Sequence, residues 1–425
     1  MRLSVLFNGI REFWDRNIGS RLSFRSWRKR FYRQWGEQRR KKCLDTFNER
    51  HLLILPSDLK MAIGSRGDEA MIMAVAAAHE GWTIGVLAET DEAARLIEAH
   101  GWQSIKVKTG RYPLDVLMQA ARNIRPERAL VLGADVMDGY YSPKVSMIQL
   151  AMTDLLRSAG IRTSLTSFSL NPNVERNVAE AFRHLPPKNE LTIRDPVSLG
   201  RFKKICGRDA RLVADVAFLL KPNEDFPLYK KVLEWKYQGE GFLLAVNFST
   251  MLLRQPTEEQ LEEQRSAMAS LLNMLLEKRN CRLLLIPHDY REDCGDYAML
   301  KSICSRLHCQ DRVFFAGDKL GAAQLKALVG IADALLTARM HLSIAMLSFA
   351  KPICAFDYQG KFQGLYRHFD YDEKYLLENP SPANVEEQYG IVCSFLDECP
   401  SLQRKLAQRL PGIMKMAEEN LDFTL

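Results

Sequence analysis

From Leu52 onward the chain repeats one pattern: a short apolar run rich in Leu, Ile and Val, then a helical segment, then another apolar run. HLLIL (51–55), TIGVLA (83–88), SIKVK (104–108), RALVLG (128–133), IRTSLTSFS (161–169), NELTIRD (189–195) and ARLVADVAFLL (210–220) are the runs of the first half. Between them lie DEAMIMAVAAAHE (68–80) and helical stretches near 113–123 and 144–159. Runs of this kind read as strands buried on both faces, and strands separated by helices pair in parallel. KPNEDFPLYKKVLEWKYQGEG (221–241) is polar, broken by Pro and Gly, and reads as a linker. The series then restarts with GFLLAVNFS (241–249), a long charged helix at 257–279, CRLLLIPHD (281–289), DRVFFAG (311–317), ADALLTA (332–338) and PICAFDY (352–358), and ends in a helical tail.

Two α/β domains in series with a cleft between them make the GT-B arrangement. The expected plan is two Rossmann-like domains at 51–225 and 241–425, a linker at 226–240 and a basic helical extension at 1–50. The 425 residues, 47% of them hydrophobic, are enough for two cores. No apolar run approaches the ~18 residues that span a bilayer, and MRLSVLFNGIREFW lacks the apolar core of a signal peptide. The nine cysteines show no CxxC pair and no zinc-like spacing, which fits a reducing compartment. The expectation is a cytoplasmic protein, peripheral at the inner face of the cell membrane, with no metal.

Charge is unevenly placed. Residues 1–50 carry 14 Lys/Arg and 5 Asp/Glu, a net of +9, so with +7 overall the remaining chain sums to −2. Leu3, Leu6, Phe7, Ile10, Phe13 and Trp14 share one helical stripe, and Phe24, Trp27, Phe31 and Trp35 continue such a stripe. Aromatics opposite a basic face suit a helix lying on an anionic membrane surface. The same pattern suits a helix packed on its own protein. No RNA-binding module follows, so nucleic acid is not an expected partner.

The segment LLTARMHLSIAMLSFAKP (335–352) places Arg339 and His341 where a buried strand turns into a helix. Ligands bind at this carboxyl edge in open α/β sheets. Free N–H groups and the positive helix end favour an anion there. A cation at a helix start is unfavourable unless a ligand brings negative charge. Lys361, in the loop after the next strand, should converge on the same anion.

ARMHLSIAMLSFAKPICAFDYQGKFQG (338–364) resembles the closing signature of the polysaccharide pyruvyl transferase family. GSRGDEAMI (64–72), VLGADVMDG (131–139), SFSLNP (167–172), TIRDPVSLGRF (192–202), VADVAFLL (213–220) and LLLIPHD (283–289) are similar to other family segments, in order, over about residues 52–370. The chain departs from the family at Ser65-Arg66, at Asn171 and at Gly133-Ala134-Asp135, where members commonly carry several glycines. These departures fall in the half that the family uses for the acceptor.

The resemblance implies transfer of a pyruvyl group from phosphoenolpyruvate onto two hydroxyls of one sugar, giving a cyclic ketal and phosphate. It requires no cofactor beyond that donor. The acceptor would be a polysaccharide or its lipid-linked precursor. Arg194 and Arg339 would hold the donor's carboxylate and phosphate, with Lys361 on the phosphate. His341 would be the general acid, since an imidazole titrates near neutral pH. Asp68, Asp138, Tyr140 and Tyr141 are the acceptor-side candidates. Asp215 and His288 match family positions and are also read as structural. Two alternatives stand beside this reading: a GT-B sugar-nucleotide glycosyltransferase, and a non-catalytic partner in polysaccharide assembly.

Overall fold

The strand β1 (Asn48–Leu55) shows how the first half is layered. Leu52 and Ile54 point into one apolar cluster while Leu53 and Leu55 point into another, the period-two alternation of a strand covered on both faces. The structure, a computed structural model, describes residues 20–187, 189, 191–253, 256–291, 295–357 and 360–423. β1 lies with β2 (Thr83–Ala88), β3 (Gln103–Lys106), β4 (Pro126–Ala134), β5 (Arg162–Phe168), β6 (Thr192–Ile193) and β7 (Arg211–Leu212) in a parallel sheet of order β3-β2-β1-β4-β5-β6-β7, where it pairs with β2 and β4. Helix α1 (Ser20–Arg39) precedes β1. The crossovers use α2 (Arg66–Ala77), α3 (Asp91–Ala99), α4 (Pro113–Ile124), α5 (Pro143–Ser158), α6 (Arg176–His184) and α7 (Pro196–Cys206).

The second half repeats the plan. Its strands are β8 (Phe242–Val246), β9 (Cys281–Leu285), β10 (Val313–Phe315), β11 (Ala334–Thr337), β12 (Ile353–Phe356) and β13 (Leu376–Leu377), parallel in the order β10-β9-β8-β11-β12-β13. Its helices are α8 (Pro227–Tyr237), α9 (Glu258–Lys278), α10 (Asp296–Cys304), α11 (Ala322–Ile331), α12 (Met340–Leu347), α13 (Lys361–His368) and α14 (Val385–Glu418). In both sheets strand order reverses beside the first strand, between β1 and β4 and between β8 and β11. Such switch points open a crevice at the carboxyl edge, and here the two crevices face each other.

Three expectations need correction. Residues 227–237, taken as linker, form α8: Pro227 opens the helix at its first turn, where a missing N–H costs nothing. The apolar run 213–220 is not a continued strand, because Asp215 accepts from the Ala217 N–H at 2.9 Å and caps a 3-10 turn at Val216–Leu219. The chain's end does not stay with the second sheet. Asn420, fully buried, donates from Nδ2 to the Ala214 carbonyl at 2.8 Å and accepts from the Ser167 N–H at 3.0 Å.

The basic extension also differs from the membrane-inserting reading. Trp27, Phe31 and Trp35 are buried in the cluster formed with α4 and α5. Trp35 Nε1 donates to Asp154 Oδ2 at 2.8 Å, and Gln38 Nε2 to Asp115 Oδ1 at 2.6 Å. The aromatic stripe is therefore core, and what α1 leaves exposed is its basic side. The stripe from Leu3 to Trp14 lies outside the described residues. Among the described residues no helix is long and apolar enough to cross a membrane.

The two sheets are closed on each other at glycines. A Cβ on Gly67 would come within 2.7 Å of His341 Cε1, and one on Gly321 would come within 3.0 Å of Glu69 Oε1. Gly364 leaves no room for a Cβ against the Asp195 carboxylate. Each of these contacts joins the first half to the second.

Candidate active site

The residues singled out by sequence converge only in part. His341 occupies the first turn of α12, and its ring lies over Gly67 at the start of α2. Its Nε2 is 3.6 Å from Asp215 Oδ2, an ion-pair distance too long for a hydrogen bond. Among the described residues this buried nitrogen has no hydrogen-bond partner. Asp215 is itself buried, and Arg194 Nη1 donates to its Oδ2 at 2.8 Å. Burial alone would raise the Asp215 carboxyl, but His341 and Arg194 outweigh it and hold it well below the usual carboxylate range. Arg194 also donates to Ser169 Oγ at 2.6 Å.

Gly67 makes this arrangement sterically sensitive. Gly67→Ala should improve the helix, since Ala is favoured over Gly by about 1 kcal/mol, yet it drives a methyl into the His341 ring. The expected result is an unchanged circular dichroism spectrum with turnover lowered by about 10²-fold, the cost of roughly 1 Å of misplacement. Wild-type turnover in this variant would show that the His341 position is not critical.

A second group assembles across the cleft. Lys361, at the first position of α13, donates to Asp135 Oδ2 at 2.8 Å and to the Tyr141 hydroxyl at 3.1 Å. The Lys361 and Arg194 charges overcome the burial penalty on Asp135 and lower its pKa. Asp135 follows Ala134, which holds a left-handed φ of 45°. This is one of the positions where the resembling family commonly carries glycine, which adopts that conformation without strain. Asp68, in the first turn of α2, accepts from Ser57 Oγ at 2.7 Å. Burial pushes its carboxyl up to about 6, and the neighbouring Asp135 charge adds to the rise.

Arg339 and Asp138 are used differently from the expectation. The Arg339 guanidinium bonds the Asp296 carboxylate at 2.6–3.1 Å and Asp289 Oδ2 at 3.0 Å. Asp296 is fully buried and also accepts from Asn247 Nδ2 at 2.9 Å and the His288 N–H at 3.2 Å. Arg339 thus ties the α12 start to the loop after β9. Asp138 accepts from the Tyr140 N–H at 2.8 Å and the Asn171 N–H at 3.1 Å, so both its oxygens shape the loop. Tyr140 and Tyr141 stay exposed and meet edge to face at 5.2 Å.

Between the two halves lies a narrow cavity of about 10 Å³, lined by Arg66, His288, Lys326 and His341 together with apolar residues. Burial lowers the His288 imidazole well below its usual value, helped by the Arg339 and His341 charges, so it is held neutral. Sequence reading passed over Asp289, Asp296 and Lys326. The last had a visible signal: a lysine inside the apolar helix AAQLKALVGIA.

Two doubly wound domains whose carboxyl edges meet across a charged cleft define the GT-B class of architecture. Within it the chain belongs to the polysaccharide pyruvyl transferase family, whose model matches residues 94–360. Its fold is similar to that of S. aureus MnaA with UDP (10% identity, TM-score 0.56, 87% of this chain and 94% of that one). It is also similar to the UDP-GlcNAc 2-epimerase of Neisseria meningitidis bound to UDP-GlcNAc (10%, 0.54, 87% and 99%). Apo UGT2 of Phytolacca americana is a further structural relative (10%, 0.52, 88% and 97%). At these identities the likeness is one of fold. No curated protein sequence matches the chain.

Proposed function

We propose that this chain moves the pyruvyl group of phosphoenolpyruvate onto two hydroxyls of one sugar. The observation that carries the reading is His341, which lines the interdomain cavity with its buried Nε2 unbonded among the described residues and 3.6 Å from the Asp215 carboxylate. His341, with the Asp215 carboxylate 3.6 Å from its Nε2, is the residue assigned to deliver a proton. Protonating the donor's methylene carbon makes it a methyl group and leaves an oxocarbenium-like C2. One sugar hydroxyl adds to C2 and loses its proton, the C2–O bond to phosphate breaks, and the second hydroxyl closes the ketal with loss of its own proton. Asp68, with its raised carboxyl, is placed to take a hydroxyl proton, while Asp135 stays ionised beside Lys361. Tyr140 and Tyr141 offer exposed ring faces to the sugar. Incubation with phosphoenolpyruvate and a terminal-sugar acceptor should release phosphate only when the acceptor is present, with a new ketal methyl signal. Turnover of a sugar nucleotide without use of phosphoenolpyruvate would replace this reading with the glycosyltransferase one.

Arg25, Lys29 and Arg33 are exposed on α1 and share a groove with Arg111 and Tyr112. We propose that a lipid-linked acceptor is met at an anionic surface held by these charges, without insertion of the aromatic stripe. Each basic residue near such a surface contributes about 1 kcal/mol. The full-length triple variant R25E/K29E/R33E should therefore bind anionic vesicles at low salt on the order of a hundredfold more weakly than wild type. Equal co-sedimentation of the two proteins would remove α1 from membrane binding.

A further inference from the structure

Two loops of the first half repeat a sequence. Ala78-His79-Glu80-Gly81-Trp82 leads into β2, and Ala99-His100-Gly101-Trp102 leads into β3. In both, a left-handed glycine, φ 77° at Gly81 and 75° at Gly101, turns the chain from a helix towards the next strand. A left-handed glycine and then an apolar residue is an ordinary route out of a helix, and a leucine would serve. An indole at both places is more than the turn requires. β2 and β3 are neighbours in the sheet, so the two loops lie side by side.

Together they line a surface groove of about 580 Å³, within the range of about 300–1,000 Å³ usual for small-molecule sites. Trp82 and Trp102 are half-buried in its wall. The Arg128 guanidinium lies 4.6 Å from the Trp82 ring, and the His100 imidazole stacks on Trp102 at 4.6 Å. A Cβ at Gly81 or Gly101 would meet nothing within 4 Å. The polar groups of the wall include Glu80, Thr83, His100 and Gln103, and among the described residues it carries no Lys or Arg. A phosphate or a nucleotide would find no cation there. Indoles beside hydroxyl, amide and carboxylate groups suit a neutral polyol whose ring has an apolar C–H face, which is a sugar.

Helix α2 connects this groove to the cleft. Gly67 in its first turn lies under the His341 ring, and Ala76 and Ala77 in its last turn line the groove. Twelve residues rising 1.5 Å each separate the two ends by about 18 Å. One sugar cannot reach both places, and a chain of sugars can.

We propose that the Trp82–Trp102 groove is a glycan subsite and that the acceptor is an oligosaccharide chain, held there while its reacting sugar lies in the cleft. The inference rests on the sugar acceptor of the proposed function. Two variants of the full chain test it. Trp102→Leu keeps an apolar residue after the glycine and removes the stacking surface, and Gln103→Ala trims an exposed side chain of the groove. The probes are neutral tetrasaccharides of galactose, glucose and mannose, titrated calorimetrically without phosphoenolpyruvate. At least one should bind wild type, and it should bind Trp102→Leu about 10-fold more weakly and Gln103→Ala about 5-fold more weakly. Wild-type affinity in Trp102→Leu would overturn the proposal, as would the absence of binding to wild type by all three probes. Should Trp102→Leu unfold at a lower temperature than wild type, Gln103→Ala decides, and unchanged affinity there overturns the subsite. Tetrasaccharide binding that depends on Trp102, in a protein that does not consume phosphoenolpyruvate, would uphold the groove and remove the donor reading alone.

Discussion

His341→Ala is expected to lower pyruvyl transfer by about 10²–10⁴-fold, the usual effect of removing a positioned general acid, while phosphoenolpyruvate affinity stays within a few-fold of wild type. The ring is held from one side by the backbone of Gly67 and faces Asp215 on the other. Nε2 makes no hydrogen bond within the described residues, so among polar contacts its removal costs only the 3.6 Å ion pair to Asp215. The side chain is only 17% exposed, so the truncation also costs some packing against α2. The charged groups expected to hold the donor, Arg194 and Lys361, remain in place. The expected signature is a collapse of kcat with little change in KM. Turnover within tenfold of wild type would take the proton-transfer role away from His341. A joint loss of binding and turnover would make it a donor ligand.

Where the site sits was legible because it follows from periodicity. Runs such as ADALLTA are buried parallel strands, the residues after them fall at a carboxyl edge, and Arg339 and His341 could be placed there from the sequence alone. The partners of those residues were not legible. Asp289 and Asp296 meet Arg339 because the loop after β9 folds back towards β11, and the two strands are separated by β8 in the sheet. No local spacing encodes that approach. The same holds for Asn420, which reaches Ser167 and Ala214 from the far end of the chain.

Helix α1 was ambiguous for a different reason. An aromatic stripe opposite a basic face satisfies both a bilayer surface and a protein groove, because both bury the same side. The difference lies in specific polar contacts, such as Trp35 to Asp154, that a bilayer does not offer. Residues 221–241 misled through Pro227, which breaks a helix from within and starts one at its first turn. Asp215 caps the 3-10 turn through one oxygen and faces Arg194 and His341 through the other, a pairing that no local spacing announces.

Arg194→Ala is expected to destabilise the protein by about 3–5 kcal/mol, the cost of removing one partner from a buried ion pair, well beyond the loss of a donor contact. Arg194 and Asp215 are 4% and 3% exposed, and the contact between them is 2.8 Å. Without the guanidinium, Asp215 keeps only the Ala217 N–H and His341 at 3.6 Å. The pH dependence has a definite sign. The carboxyl is lowered in the fold, so its stabilisation is complete above the ordinary Asp value of about 4 and is lost as pH falls through the lowered value. In Arg194→Ala the carboxyl rises, and acid unfolding should begin at a higher pH than in wild type. Adding Asp215→Asn to Arg194→Ala should recover part of the stability, because no buried charge is then left alone, but it should not recover turnover, because His341 has lost its carboxylate. Urea unfolding of wild type, single and double variants at pH 7 and pH 5 measures both effects. A single variant with the wild-type midpoint would show that the pair is not structural and would return Arg194 to the role of a simple donor ligand.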